Sequence, residues 1–122
     1  RVWRATFASC CSASRASVDA FAAGLAAGRV DAAAVNRNGE ALERLARDCG
    51  LPLLTPELER TVALARRAGA GAKVSGAGGG DCAVALTDDP EVAARLAAAW
   101  RAAGVRTIDL RLEARGVSVG QA

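Results

Sequence analysis

The chain has no histidine, no methionine and no tyrosine in its 122 residues, and aromatic side chains make up 3% of it. Without histidine, the mixed His/Cys zinc sites are closed off. The four cysteines (Cys10, Cys11, Cys49, Cys82) do not stand at the paired C-x-x-C spacing that an all-cysteine site needs. Cys10 and Cys11 are neighbours, which disfavours a bridge between them, and the chain is not cysteine-dense, so no disulfide framework is expected. Reduced, mostly buried thiols of a cytoplasmic protein are expected instead. So few aromatics leave no platform on which bases could stack. A net charge of +3 is too mild and dispersed for a nucleic-acid footprint. No apolar run approaches the roughly 20 residues that cross a bilayer, and the opening RVWRATFASCC lacks the apolar centre of a secretory signal. Neither a nucleic acid nor a membrane is therefore expected as a partner. The chain does not begin with methionine, and it reads as a piece or a processed form of a longer protein. Lysine is nearly absent as well: Lys73 is the only one, three residues before a glycine cluster.

What is present is an ordinary globular balance, 52% hydrophobic and 24% charged, and a length that suits one domain spanning 1–122. Residues 2–8 (VWRATFA) favour extended backbone and are expected to form a short strand. From about Ser14 the period turns helical, with Val18, Phe21 and Leu25 on one face and Gly28 as the stop. Asp31 caps a second helix whose apolar face holds Val35, Leu42, Leu45 and Cys49, with Gly39 weakening its middle and Gly50 ending it. LPLLTP is a connector, and Thr55-Pro56 opens a third helix with Leu58, Val62 and Ala65 on its buried stripe and Gly69 after it. A strand over 72–75, a glycine loop over 76–80 and a strand over 81–87 follow, the second strand turning Cys82, Val84 and Leu86 one way and Ala83 and Ala85 the other. Asp89-Pro90 starts a fourth helix, carrying Val92, Leu96, Ala99 and Ala103 on one face and ended by Gly104. Residues 105–112 then alternate Ile108, Leu110 and Leu112 with Thr107, Asp109 and Arg111, as a last strand would. The order predicts an α+β fold, a ferredoxin-like βαββαβ sandwich with extra helices in its first crossover.

The most informative stretch is KVSGAGGGDCAVAL, residues 73–86. Four glycines at Gly76, Gly78, Gly79 and Gly80 carry a large backbone entropy cost that a plain hairpin turn does not require. Such a loop brings bare backbone close to a bulky or charged group, and successive N–H groups in it form an anion-binding nest. The nucleoside-triphosphate P-loop does not fit, because Lys73 is followed by Val74 and Ser75 and not by a Ser/Thr that opens a helix. The dinucleotide fingerprint does not fit either, since Asp81 stands where its third glycine belongs and a strand follows.

SGAGGGDCAVAL does closely resemble the third motif of the GHMP kinases, and the Asp81-Cys82 pair is most similar to the bacterial phosphomevalonate kinase branch. The likeness extends more weakly to Asn36-Arg37, to the TPEL stretch at 55–58 and to Lys73, covering about residues 14–115. It implies a ferredoxin-like C-terminal domain whose glycine loop lies beside the substrate and the transferring phosphate. It further implies transfer of the ATP γ-phosphoryl, with Mg²⁺, to a small-molecule phosphate acceptor, here 5-phosphomevalonate of the isoprenoid mevalonate pathway. By position, the substrate- and phosphate-binding residues are Lys73, Ser75, Gly76, Ala77, Gly78, Gly79, Gly80 and Asp81, with Ser75 donating to substrate or phosphate and Gly76 to Gly78 offering N–H groups. The family's ATP-binding loop and its catalytic lysine or aspartate have no counterpart in this chain, so ATP and Mg²⁺ are expected mainly on an N-terminal domain of the same protein. No catalytic or metal-ligating residue is assigned here, and the chain alone is expected to be inactive.

Plainer readings stand beside these. Asp81 is either a ligand contact or an acceptor for N–H groups of its own loop. Lys73 either attracts an anionic substrate or is a solvated strand charge. Arg37 suits a helix surface, Cys82 suits the core with Val84 and Leu86, and Trp3 and Trp100 suit packing. Other members of the family, mevalonate kinase among them, remain alternatives. So do a non-catalytic ferredoxin-like module that senses a small anion and a plain interaction domain. A domain without its partner half also exposes apolar surface, which favours a homodimer.

Overall fold

The computed structural model describes residues 2–76, 78–80, 82–117 and 119–120. Helix α1 (Val2–Ala26) and helix α2 (Ala32–Cys49) form a hairpin, followed by α3 (Pro56–Ala68), β1 (Gly71–Ser75), β2 (Cys82–Leu86) and α4 (Pro90–Ala102). The described fold is thus α+β, four helices with one antiparallel pair of strands in register Gly71↔Leu86 to Ser75↔Cys82.

Local chemistry places the helix ends where the sequence does. Asp31 accepts Ala34 N–H, Thr55 accepts Leu58 N–H, and Asp89 accepts Glu91 and Val92 N–H, so each first turn has a side-chain partner for an otherwise orphaned donor. Gly50 and Gly69 close α2 and α3 in the left-handed region. The core lies between α3, α4 and one face of the β1–β2 hairpin: Val62, Ala65, Ala70, Ala72, Val92 and Leu96 are buried together, with Ala83, Ala85 and Trp100 packed against them. The Trp100 indole N–H donates to Thr61 O at 3.0 Å, so its polar end is satisfied while its ring packs.

Several expectations are corrected. Residues 2–8 are the first turns of α1 and not a strand. They lie along α2, where Ala5, Thr6 and Ser9 face Arg44, Leu45 and Asp48 across a cleft of about 240 Å³. Of the expected α1 face of Val18, Phe21 and Leu25, only Phe21 is half-buried. Val18 and Leu25 are more than half exposed, as are Trp3 and Phe7, and the buried positions are Cys10, Ser17 and Gly24 at seven-residue spacing. Small side chains let the two helices approach closely, and Asn38 Nδ2 donates across the gap to Ser14 Oγ at 2.9 Å. On α2 the deepest residues are Ala34, Val35, Gly39, Ala41 and Ala46, with Leu42, Leu45 and Cys49 half-buried beside them. Residues 105–112 form no strand, and Ile108, Leu110 and Leu112 are 70%, 81% and 100% exposed. Among the described residues the sheet therefore has two strands, not four. The cysteines are free, but Cys11 and Cys82 are exposed, and only Cys10 is buried.

Candidate functional site, a glycine loop at the hairpin tip

The sequence between β1 and β2 has to reverse direction while pressed against another part of the chain. Gly76, Gly78, Gly79 and Gly80 all sit at positive φ (68°, 76°, 82° and 122°), where side-chain-bearing residues are strained. Two glycines do a second job. A Cβ on Gly78 would meet Leu53 O at 2.9 Å, and one on Gly80 would meet Thr55 Cγ2 at 3.4 Å. The Gly79 N–H donates to Leu53 O at 3.0 Å. The loop is thus docked on the 51–55 connector, directly before the capped N-terminus of α3. Gly76 is different, because a Cβ there would meet nothing within 4 Å. Its conformation, and not packing, calls for glycine, and it leaves bare backbone open at the tip.

Lys73 and Ser75 share the face of β1 turned away from α3 and α4, and both are half-buried. Lys73 has no ion pair with a described residue. The structure therefore places Ser75, Gly76, Gly78, Gly79 and Gly80 at the loop end of the hairpin, with Lys73 at mid-strand on the same face as Ser75. Ala77 and Asp81 lie outside the described residues. Cys82 is exposed on the same face as Lys73 and Ser75, and it is the Ala83 and Ala85 face that meets the core, a reversal of the expected sides of β2.

What holds β1 in place was not legible as a site. The Asn36 side chain accepts Ala72 N–H at 2.8 Å. Arg66 donates from Nε to Ala72 O at 3.1 Å and from Nη2 to Glu43 Oε1 at 2.8 Å, in a largely buried pair. Gly39 gives the room: a Cβ there would lie 2.9 Å from Lys73 Cβ and 2.6 Å from Arg66 Nη2. Gly71 does the same on the strand, with Ala32 Cα at 2.8 Å from its would-be Cβ. Helix α2 is thereby clamped along β1, and this fixes where the strand delivers Ser75 and the loop. The only sequence signal was Asn36 beside Arg37. Neither Arg66 nor Leu53 stands out in the sequence, the latter because it acts through its carbonyl.

The site is thus a strand-loop-strand whose glycine tip is docked on the connector beside a capped helix. The pattern defining the family described as GHMP kinases C terminal matches residues 30–106, and the chain belongs to that family. A phosphomevalonate kinase from Streptomyces sp. (strain CL190) is 35% identical over 85 residues, covering 68% of this chain and 23% of that protein. Among solved structures, a Lin0012 protein from Listeria innocua superposes with a TM-score of 0.58 and 28% identity over 63% of this chain and 22% of its own. The chain thus spans about a quarter of the length of these relatives.

Proposed function

We propose that the chain is the substrate- and phosphate-loop domain of a kinase that transfers the ATP γ-phosphoryl to 5-phosphomevalonate. The observation that carries the reading is the glycine tip: four positive-φ glycines, three of them (Gly78, Gly79 and Gly80) held against the connector and one, Gly76, with open space around it. Backbone donors in such a nest suit an anion, and phosphoryl transfer relies mainly on positioning and charge stabilisation. In this reading Ser75 donates its hydroxyl to the substrate or a phosphate oxygen. Gly76 and Gly78 present N–H groups, and Lys73 draws the anionic acceptor toward them. Ala77 and Asp81 belong to the same proposal by their place in the motif.

We assign ATP and Mg²⁺ mainly to an N-terminal domain of the whole protein, because the family's ATP-binding loop has no counterpart in these 122 residues; the phosphoryl group and its charge neutralisation would be supplied from there. The setting is cytoplasmic in this proposal; no described helix is long and apolar enough to cross a membrane. A full ferredoxin-like sandwich belongs to it too, and its further strands have to be added beside β2, since α2 closes the side of β1.

The test is steady-state kinetics of the whole protein with Ser75→Ala and Lys73→Met. Ser75→Ala is expected to lower kcat/KM for phosphomevalonate about tenfold, the loss of one hydrogen bond to a charged group. Lys73→Met is expected to raise KM for the acceptor and leave KM for ATP unchanged. Wild-type values in both variants would remove the loop from the reaction.

A further inference from the structure

We infer that Arg66 and Glu43 are positioning residues for the acceptor end of the site, aiming Lys73 and Ser75 without touching the substrate. The inference rests on the reaction proposed above and extends it to two residues on α3 and α2. Arg66 stands near the end of α3 and reaches two other elements at once. Its Nε donates to Ala72 O on β1 at 3.1 Å, and its Nη2 donates to Glu43 Oε1 on α2 at 2.8 Å. Ala72 O belongs to the peptide group that leads into Lys73, and the Ala72 N–H is held by Asn36. Both peptide planes around Ala72 are thus fixed from outside the strand, and with them the direction in which the next residues leave. Lys73 follows at once and Ser75 ends the strand, both on the face opposite Ala72.

The three elements meet at one point. A Cβ on Gly39 would lie 2.6 Å from Arg66 Nη2, 2.9 Å from Lys73 Cβ and 3.3 Å from Ala72 O. Helix α2 therefore carries an unfavourable mid-helix glycine where the guanidinium and the root of Lys73 share the space. The Arg66 and Glu43 side chains are only 23% and 17% exposed. An ion pair so far withdrawn from water adds little net stability, because desolvation offsets the attraction. What it supplies is direction: a planar guanidinium with two fixed bonds holds its partners at set angles, which an apolar pair of similar size does not. A reaction that is mostly positioning is sensitive to this, since a misplacement of about 1 Å costs up to about a hundredfold in rate. All of these contacts are internal to the chain.

A double-mutant cycle in the kinetics of the whole protein, combined with amide hydrogen exchange, tests it. Replacing Glu43→Leu and Arg66→Met together removes both charges, so no ion is stranded and the protein stays folded. The expected result is a kcat/KM for phosphomevalonate about tenfold lower, with KM for ATP unchanged. Arg66→Lys, which keeps the charge and loses the planar fork, should fall between this variant and the wild type. Made on top of Ser75→Ala, the pair replacement should cost about threefold or less, because the group it aims is already gone. A full tenfold loss in that background overturns the inference, since the pair then supports the fold at large; so does a wild-type kcat/KM in the pair variant. If the pair variant fails to fold, Arg66→Lys decides by the same cycle. Exchange separates this failure from failure of the reaction itself. Peptides over residues 72–76 should exchange about tenfold faster in the pair variant while those over α4 do not. That result beside neutral Ser75→Ala and Lys73→Met would remove the reaction and keep the aim of the strand, whereas unchanged exchange over 72–76 overturns the positioning role.

Discussion

Gly78 carries two constraints where Gly76 carries one, and the difference is measurable. An alanine at either position must adopt positive φ, at a cost of about 1–2 kcal/mol. At Gly78 the new Cβ would also strike the Leu53 carbonyl at 2.9 Å, while at Gly76 it would meet open space. Gly78→Ala should therefore lower stability in chemical denaturation by clearly more than Gly76→Ala. Gly39 supplies a change of sign. In a free helix, Gly→Ala gains about 1 kcal/mol, but here the Cβ would sit 2.9 Å from Lys73 Cβ. Gly39→Ala should destabilise, and a gain in stability would show that α2 does not lie so close to β1. Cys10 differs from the other thiols, because burial first, and then the neighbouring Cys11 and Cys49, push its pKa above the ordinary value. It stays protonated to higher pH than a free thiol. At mildly alkaline pH, iodoacetamide should label exposed Cys11 and Cys82 well before Cys10, as read by peptide mass spectrometry.

At the scale of elements, short-range chemistry was legible and long-range pairing was not. The caps Asp31, Thr55 and Asp89 and the glycine stops Gly50 and Gly69 act within one turn of themselves, so the residues that announce them also perform them. Leu58, Val62 and Ala65 bury as their helical spacing predicts, for the same reason. Asp89→Ala should cost about 1 kcal/mol through the loss of its bonds to Glu91 and Val92, visible as a shift of the denaturation midpoint. The expected strands at 2–8 and 105–112 failed because a strand needs a partner, and pairing is not written in its own residues. The packing face of α1 was missed because large apolar residues draw attention, whereas Cys10, Ser17 and Gly24 are what permit contact with α2. The faces of β2 were exchanged likewise: alanines sit beneath tightly packed helices, and bulkier Val84 and Leu86 do not. The glycine loop was legible because an unusual backbone requires an unusual composition, but the connector that receives it acts through backbone and leaves no such trace.

At the scale of the whole molecule, the chain belongs to the GHMP kinase C-terminal family and spans about a quarter of the length of its relatives. The clamp of Asn36 and Arg66 on β1 and the seat of the loop on Leu53 tie the strand and its glycine tip to α2, α3 and the connector. Such ties are useful to a reaction that is mostly positioning. The most direct measurement is ADP release by the whole protein with ATP and Mg²⁺, offering phosphomevalonate, mevalonate, homoserine and galactose in parallel. The account predicts turnover selective for phosphomevalonate, and none from the 122-residue chain alone. Turnover with a different acceptor would contradict the substrate, and absence of turnover with all four would contradict the kinase reading itself.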